Sequence, residues 1–239
     1  MKSFLAAFAT CLCLASPALA QKATETATFD FVVAGLTAGT LTVAGTVDGK
    51  GYAVQGKLGS SGLVSFVKKI SYQGSASGAV RDDRFRPASY RERADTGDRQ
   101  SEVVMSFSRG VPVVETYKPP GKSRPHDISP ADQAGAVDPL TAAFAVLKSV
   151  EPGQECQVSY AMFDGRRASS ISLSGRKEKG DRVTCAGEYR RVAGFPPHEM
   201  AKRTRFPFTL TYAPGEDGRM RVVEVATETT FGKAKMIRR

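Results

Sequence analysis

From Thr26 onward the chain alternates apolar and polar residues with a period of two. Phe29, Phe31 and Val33 share one face, followed by Leu41, Val43 and Val47, and then by Tyr52, Val54 and Leu58 beyond the turn Asp48-Gly49-Lys50-Gly51. Successive side chains of a strand point to opposite faces, so this rhythm predicts a sheet with one buried side. It continues through Tyr72, Gly74 and Ala76, through Val103, Met105 and Phe107, and after the turn Ser108-Arg109-Gly110 through Val111 and Val113. In the second half it returns at Cys156 to Met162, Ile171 and Leu173, Val183 to Tyr189, Phe206 to Tyr212, and Met220 to Val225. With turn residues between the runs, about twelve strands in hairpin order are expected. Pro207 predicts an edge or a bulge in its strand. The basic tail, residues 232–239, is expected to be frayed.

Two stretches break the alternation. Ser60-Ser61-Gly62 followed by Leu63, Val64, Phe66 and Val67 predicts a short apolar helix. Asp138 to Val150, DPLTAAFAVLKSV, predicts the main one: Asp138 caps it, Pro139 suits its first position, and Pro152-Gly153 ends it. On a helical wheel Leu140, Ala143, Phe144 and Leu147 face one way, flanked by Val146 and Val150, with Thr141, Ala145, Lys148 and Ser149 turned away. The proline-rich segment 118–137 reads as a long crossing loop that delivers the chain to this helix. The expected fold is therefore mainly β: a large curled antiparallel sheet, an incomplete barrel, packed around one main α-helix. Leu140, Phe144 and Leu147 are candidates either for the core or for the lining of an apolar site beneath a movable helix.

The first twenty residues carry the marks of an export signal: Lys2, the apolar run Phe4 to Ala15, and Ala18-Leu19-Ala20 ahead of cleavage. Residues 21–239 are expected to form a single β-rich domain in the periplasm. Cys156 and Cys185 are the two cysteines left, and in an oxidising compartment they are expected to pair. If the strands after the helix form a meander, those cysteines lie two strands apart, ~10 Å at ~4.8 Å per strand. A disulfide needs Cα atoms within about 7 Å, so the strand between them is expected to stop short.

The formal charge is +10, or +9 once Lys2 leaves with the signal. On an exported protein that charge suits lipid, lipoprotein or an anionic envelope polymer better than nucleic acid, for which no basic helix or RNA-binding motif is present. Arg166-Arg167 and Arg190-Arg191 are candidate anion contacts, although alternation allows only one of each pair to point to a given face. No nucleophile elbow, zinc-protease helix, phosphate loop or dinucleotide fingerprint occurs, and no cofactor or metal site is expected. His126-Asp127 and His198-Glu199 lie in proline-containing loops without an identified nucleophile.

The export signal, Phe29-x-Phe31 with AGLTAG, the helix start Asp138-Pro139-Leu140-Thr141, Cys156 and Cys185 bracketing FDGRR, and the continuation GEYRRVAGF together resemble an exported bacterial family catalogued as domain of unknown function 3108. That family supplies no established catalytic residue or ligand. At fold level the chain is similar to the curved half-barrels of periplasmic lipoprotein carriers, in which helices plug a concave apolar sheet. The wide sheet, single plug helix and basic exterior together lead to the expectation of a non-enzymatic envelope protein that receives a lipid or other apolar moiety on the concave side. The alternatives are an envelope scaffold acting through basic surfaces and, third, a hydrolase.

Overall fold

The computed structural model describes residues 23–62, 69–120, 124–229 and 232–239. The export signal and the short helix expected at 63–67 lie outside the described residues. Among the described residues thirteen antiparallel strands form one sheet: β1 (Ala23–Val33), β2 (Leu36–Val47), β3 (Gly51–Ser60), β4 (Ser71–Arg81), β5 (Arg84–Asp95), β6 (Gln100–Ser108), β7 (Val111–Lys118), β8 (Ser159–Phe163), β9 (Ala168–Lys179), β10 (Arg182–Ala193), β11 (Arg205–Pro214), β12 (Met220–Thr229) and β13 (Gly232–Arg238). The order is β7-β6-β5-β4-β3-β2-β1-β13-β12-β11-β10-β9-β8. Two meanders, β1–β7 and β8–β13, are thus joined where the first strand pairs with the last, from Phe29↔Arg238 to Val33↔Ala234. A sheet this wide must curl to bury one face, and it closes almost into a barrel.

The tail is therefore not frayed. Alternation in GKAKMIR is short and lysine-rich, but two neighbours supply partners: Met236 pairs with Phe31 on one side and Val225 on the other. Nor is β11 an edge. It lies between β10 and β12, and Pro207 sits near its start, before pairing with β12 begins at Thr209↔Ala226.

Among the described residues the free edges are β7 and β8, and the segment before the main helix is stitched to β8 and to the β6–β7 turn. Gly135 N–H donates to Gly110 O (2.8 Å), while Val137 N–H donates to Ala161 O and Val137 O accepts from Phe163 N–H (both 2.9 Å). The β8–β9 turn meets the other edge, with the Arg166 guanidinium 4.4 Å from the Tyr117 ring centroid.

The main helix, α1 (Pro139–Leu147), lies inside the curl, capped by Asp138 with Pro139 in its first turn. Its burial corrects the wheel. Thr141 and Ala145, placed on the outer face by pattern, are buried with Phe144, Val146 and Leu147, while Leu140 and Ala143 are half-buried. A helix enclosed by sheet keeps only a narrow solvent strip, and a nearly all-apolar helix is the form that tolerates this.

Cys156 and Cys185 form the disulfide, with Cα atoms 5.4 Å apart. The expected mechanism is corrected: the middle strand β9 runs twelve residues and does not stop short. Instead Cys156 lies ahead of β8, at φ 64°, in a segment that crosses β9 to reach β10. The β9–β10 register slips opposite Cys185, where Thr184 pairs with Lys177 and Ala186 with Ser174.

Candidate functional site

Helix α1 sits against a stripe of glycines. Gly45, Gly56 and Gly74 occupy inward positions on β2, β3 and β4, with Gly56 and Gly74 directly paired. A Cβ on Gly45 would overlap the Phe144 ring, one on Gly56 would lie 2.7 Å from Leu140 Cδ1, and one on Gly74 would lie 3.4 Å from Leu140 Cδ2. Side chains are missing there because the helix needs the room. Phe85 closes the ring contact, its centroid 4.7 Å from that of Tyr52 and 5.6 Å from that of Phe144.

The helix also brings a polar chain into this core. Thr141 donates its backbone N–H to Asp138 Oδ1 (2.8 Å) and its hydroxyl to Oδ2 (2.6 Å). Its one proton being used, Thr141 Oγ1 accepts from Tyr52 O–H at 2.7 Å. Asp138 and Thr141 are fully buried. Burial pushes the Asp138 carboxyl up to about 6, against the pull of the Thr141 hydrogen bonds. These polar groups serve the plug. They are satisfied by one another and offer no free valence to a ligand.

Helix α1 packs against β3, β4, β5 and β8. Toward the ends of the strands near Val33, Ser60, Asp95 and Ala193, an in-register apolar belt remains half-exposed. Tyr72 pairs with Leu58 and Leu58 with Leu41, while Phe31 pairs with Met236 and Met236 with Val225. All six side chains are only partly buried. Phe208 extends the belt on β11, where a Cβ on Gly187 would overlap its ring. Leu140 and the half-buried Glu92 border it from the helix side. Tyr90 donates its hydroxyl to Glu92 Oε2 (2.7 Å), and burial raises the Glu92 carboxyl despite that bond. Glu92 was not singled out by sequence; its signal was its place at the inward parity of β5, between Tyr90 and Ala94.

At the rim of this open end the arginine pairs separate as alternation requires. Asp164 Oδ1 accepts from the backbone N–H of Arg166 and Arg167 and shapes the β8–β9 turn. Arg166 turns to Tyr117 and to Asp127, 3.8 Å away. Arg167 turns the other way, 5.2 Å from the Phe195 ring centroid, and Arg191 stacks on the same ring at 5.2 Å. Arg190 is exposed and outside this group. The structure brings together Arg167 and Arg191, from different elements, and leaves Arg166 and Arg190 out. Sequence missed Phe195 and Arg203, which complete the cluster: Arg203 stacks on Phe206 at 4.8 Å, beside Arg191 at 5.0 Å.

The histidine pairs do not converge. Asp127 is engaged by Arg124 at 2.8 Å, while Glu199, in the short helix α2 (Pro197–Lys202), pairs with Arg191 at 3.0 Å. Among the described residues no group of three or more His, Cys, Asp or Glu is placed to hold a metal ion, and no helix is long and apolar enough to cross a membrane. A cleft of about 420 Å³ between the ends of β4 to β7 is lined mostly by polar residues, and its Glu102 is already engaged by Arg93 and Lys118.

The family model for the protein of unknown function DUF3108 matches residues 26–238, nearly all of the described chain, and the chain belongs to that family. No curated protein sequence matches it significantly. Among solved structures it is similar to a beta-barrel-like protein of domain of unknown function DUF1849 from Brucella abortus, at 9% identity and a TM-score of 0.48, covering 90% of this chain and 95% of the other.

Proposed function

We propose that this chain is a non-enzymatic protein of the bacterial periplasm whose open concave half receives an apolar moiety, such as an acyl chain or the lipid tail of a lipoprotein. The observation that carries the reading is the belt of Phe31, Leu41, Leu58, Tyr72, Val225 and Met236 on the concave wall, none of them fully buried, with Leu41, Val225 and Met236 packed against the core. Apolar side chains in register on a concave wall are left accessible at a cost in hydration that an apolar ligand would remove. The export signal and the disulfide support the compartment. Purification from the native envelope followed by lipid analysis tests it: co-extracted lipid, and binding of an acyl-chain probe, are expected.

One observation favours a second reading. Phe144 and Leu147 are buried core residues, so α1 is no empty lid, and a protein solid at this point suits a scaffold that binds an anionic partner through basic faces. Absence of lipid and of probe binding, with a partner released by salt, would favour the scaffold.

A further inference from the structure

The cation–aromatic cluster at the rim is assembled from two connections that are distant in sequence. Gly194, at φ 81°, lets the β10–β11 connection lie directly on the β8–β9 turn: a Cβ there would overlap Arg166 O and lie 2.9 Å from Arg167 Cα. This contact sets Phe195, 6% exposed, beneath the Arg167 guanidinium. Arg191 holds the connection together. Its Nη1 donates to Glu199 O (3.0 Å) and Arg203 O (3.2 Å), and its Nη2 pairs with Glu199 Oε2 (3.0 Å). Glu199 is thereby committed.

Arg167 and Arg203 are in a different condition. Neither has a carboxylate partner among the described residues, and the one side-chain hydrogen bond of Arg203 runs from Nε to Arg205 O (2.8 Å), leaving both terminal nitrogens. Stacking on Phe195 and Phe206 holds both guanidiniums in place with their charge uncompensated. Three arginines stand against one carboxylate on two rings that Arg191 bridges, 5.2 Å from Phe195 and 5.0 Å from Phe206, and planar guanidiniums of this kind suit an oxyanion. Phe206 precedes Phe208 on the inward face of β11, so the receptor adjoins the apolar belt.

We propose that Arg167 and Arg203 receive the phosphate head group of an anionic amphiphile whose chain lies along the belt. The tail placement rests on the apolar-surface reading above, whereas the head-group site rests on the arginine geometry. Together they define the ligand class as a single- or double-chain phospholipid with a negatively charged head.

Calorimetric titration of the mature chain with lysophosphatidylglycerol, with a neutral monoacylglycerol of the same chain length, and with inorganic phosphate tests this. Wild type is expected to bind both amphiphiles. In the Arg167→Gln/Arg203→Gln variant, affinity for lysophosphatidylglycerol should fall by about tenfold or more through loss of charge-assisted bonds, with the neutral ligand within about twofold. The Arg167→Lys/Arg203→Lys variant should fall in between, and unchanged circular dichroism should confirm that each variant is folded. Equal losses for both amphiphiles, or none, would overturn the head-group site while leaving the apolar surface intact. Binding of neither amphiphile to wild type would end both proposals. Inorganic phosphate binding as tightly as the lysolipid would make this a free-anion site and overturn the amphiphile.

Discussion

The ring of Phe144 stands where a side chain on Gly45 would be, so strand β2 and helix α1 touch through the absence of one residue's side chain. Gly56 makes the same allowance for Leu140. Forcing a methyl group into either contact overpacks the core. Gly45→Ala and Gly56→Ala should each destabilise the protein by roughly 1–3 kcal/mol in urea unfolding. Gly59→Ala is the control, because its Cβ would meet only Ile70 O at an ordinary 3.8 Å, and it should stay within about 0.5 kcal/mol of wild type.

The buried Asp138 predicts a pH dependence with a definite sign. Its carboxyl titrates at about 6 in the folded protein, above its ordinary value of 3.8. The folded state therefore holds a proton that the unfolded chain has lost over this interval, and the contribution of this group is full below about 4 and declines until about 6. The difference is on the order of 3 kcal/mol. Asn at this position still caps the helix and carries no charge. The stability difference between Asp138→Asn and wild type should accordingly move in favour of the variant as pH rises from 4 to 6.5, and a difference independent of pH would contradict the assignment.

Tyr52→Phe removes the last donor of the chain Tyr52–Thr141–Asp138 and should cost about 1 kcal/mol. Thr141→Val should cost more, roughly 2–3 kcal/mol, because it removes a donor to Asp138 and leaves the buried Tyr52 hydroxyl unpaired. A double-mutant cycle by thermal unfolding checks the coupling between the two positions.

The Cys156–Cys185 bond closes a loop of sequence separation 29. Its reduction, or Cys156→Ala with Cys185→Ala, should lower stability by roughly 3–4 kcal/mol, measured as the shift in urea midpoint.

How far the sequence reveals this molecule follows from what local pattern encodes. Phe29, Val43, Val54 and Met105 were legible as buried because period two marks one face of a strand. Asp138 and Pro139 were legible as a helix start because caps are local. The all-round burial of α1 was not, since Thr141 and Ala145 read as outward until a surrounding sheet turns every direction inward. The glycines at 45 and 56 were silent for a related reason: the residue that explains each one lies more than eighty positions away. Strand β13 was read as a frayed tail because its support comes from β1, at the other end of the chain. For the rim, alternation separated Arg167 from Arg166 and Arg191 from Arg190, but only the fold could place Arg167 and Arg191 on one Phe195 ring.

The central claim, an apolar chain on the open concave wall, is tested most directly by exploiting a chain without tryptophan. Met236 faces the belt, whereas its neighbour Ile237, 39% exposed, faces outward. With a brominated single-chain phospholipid, the fluorescence of the Met236→Trp variant should be quenched at concentrations that leave the Ile237→Trp variant unchanged. Equal quenching of the two, or quenching of neither, would contradict the account.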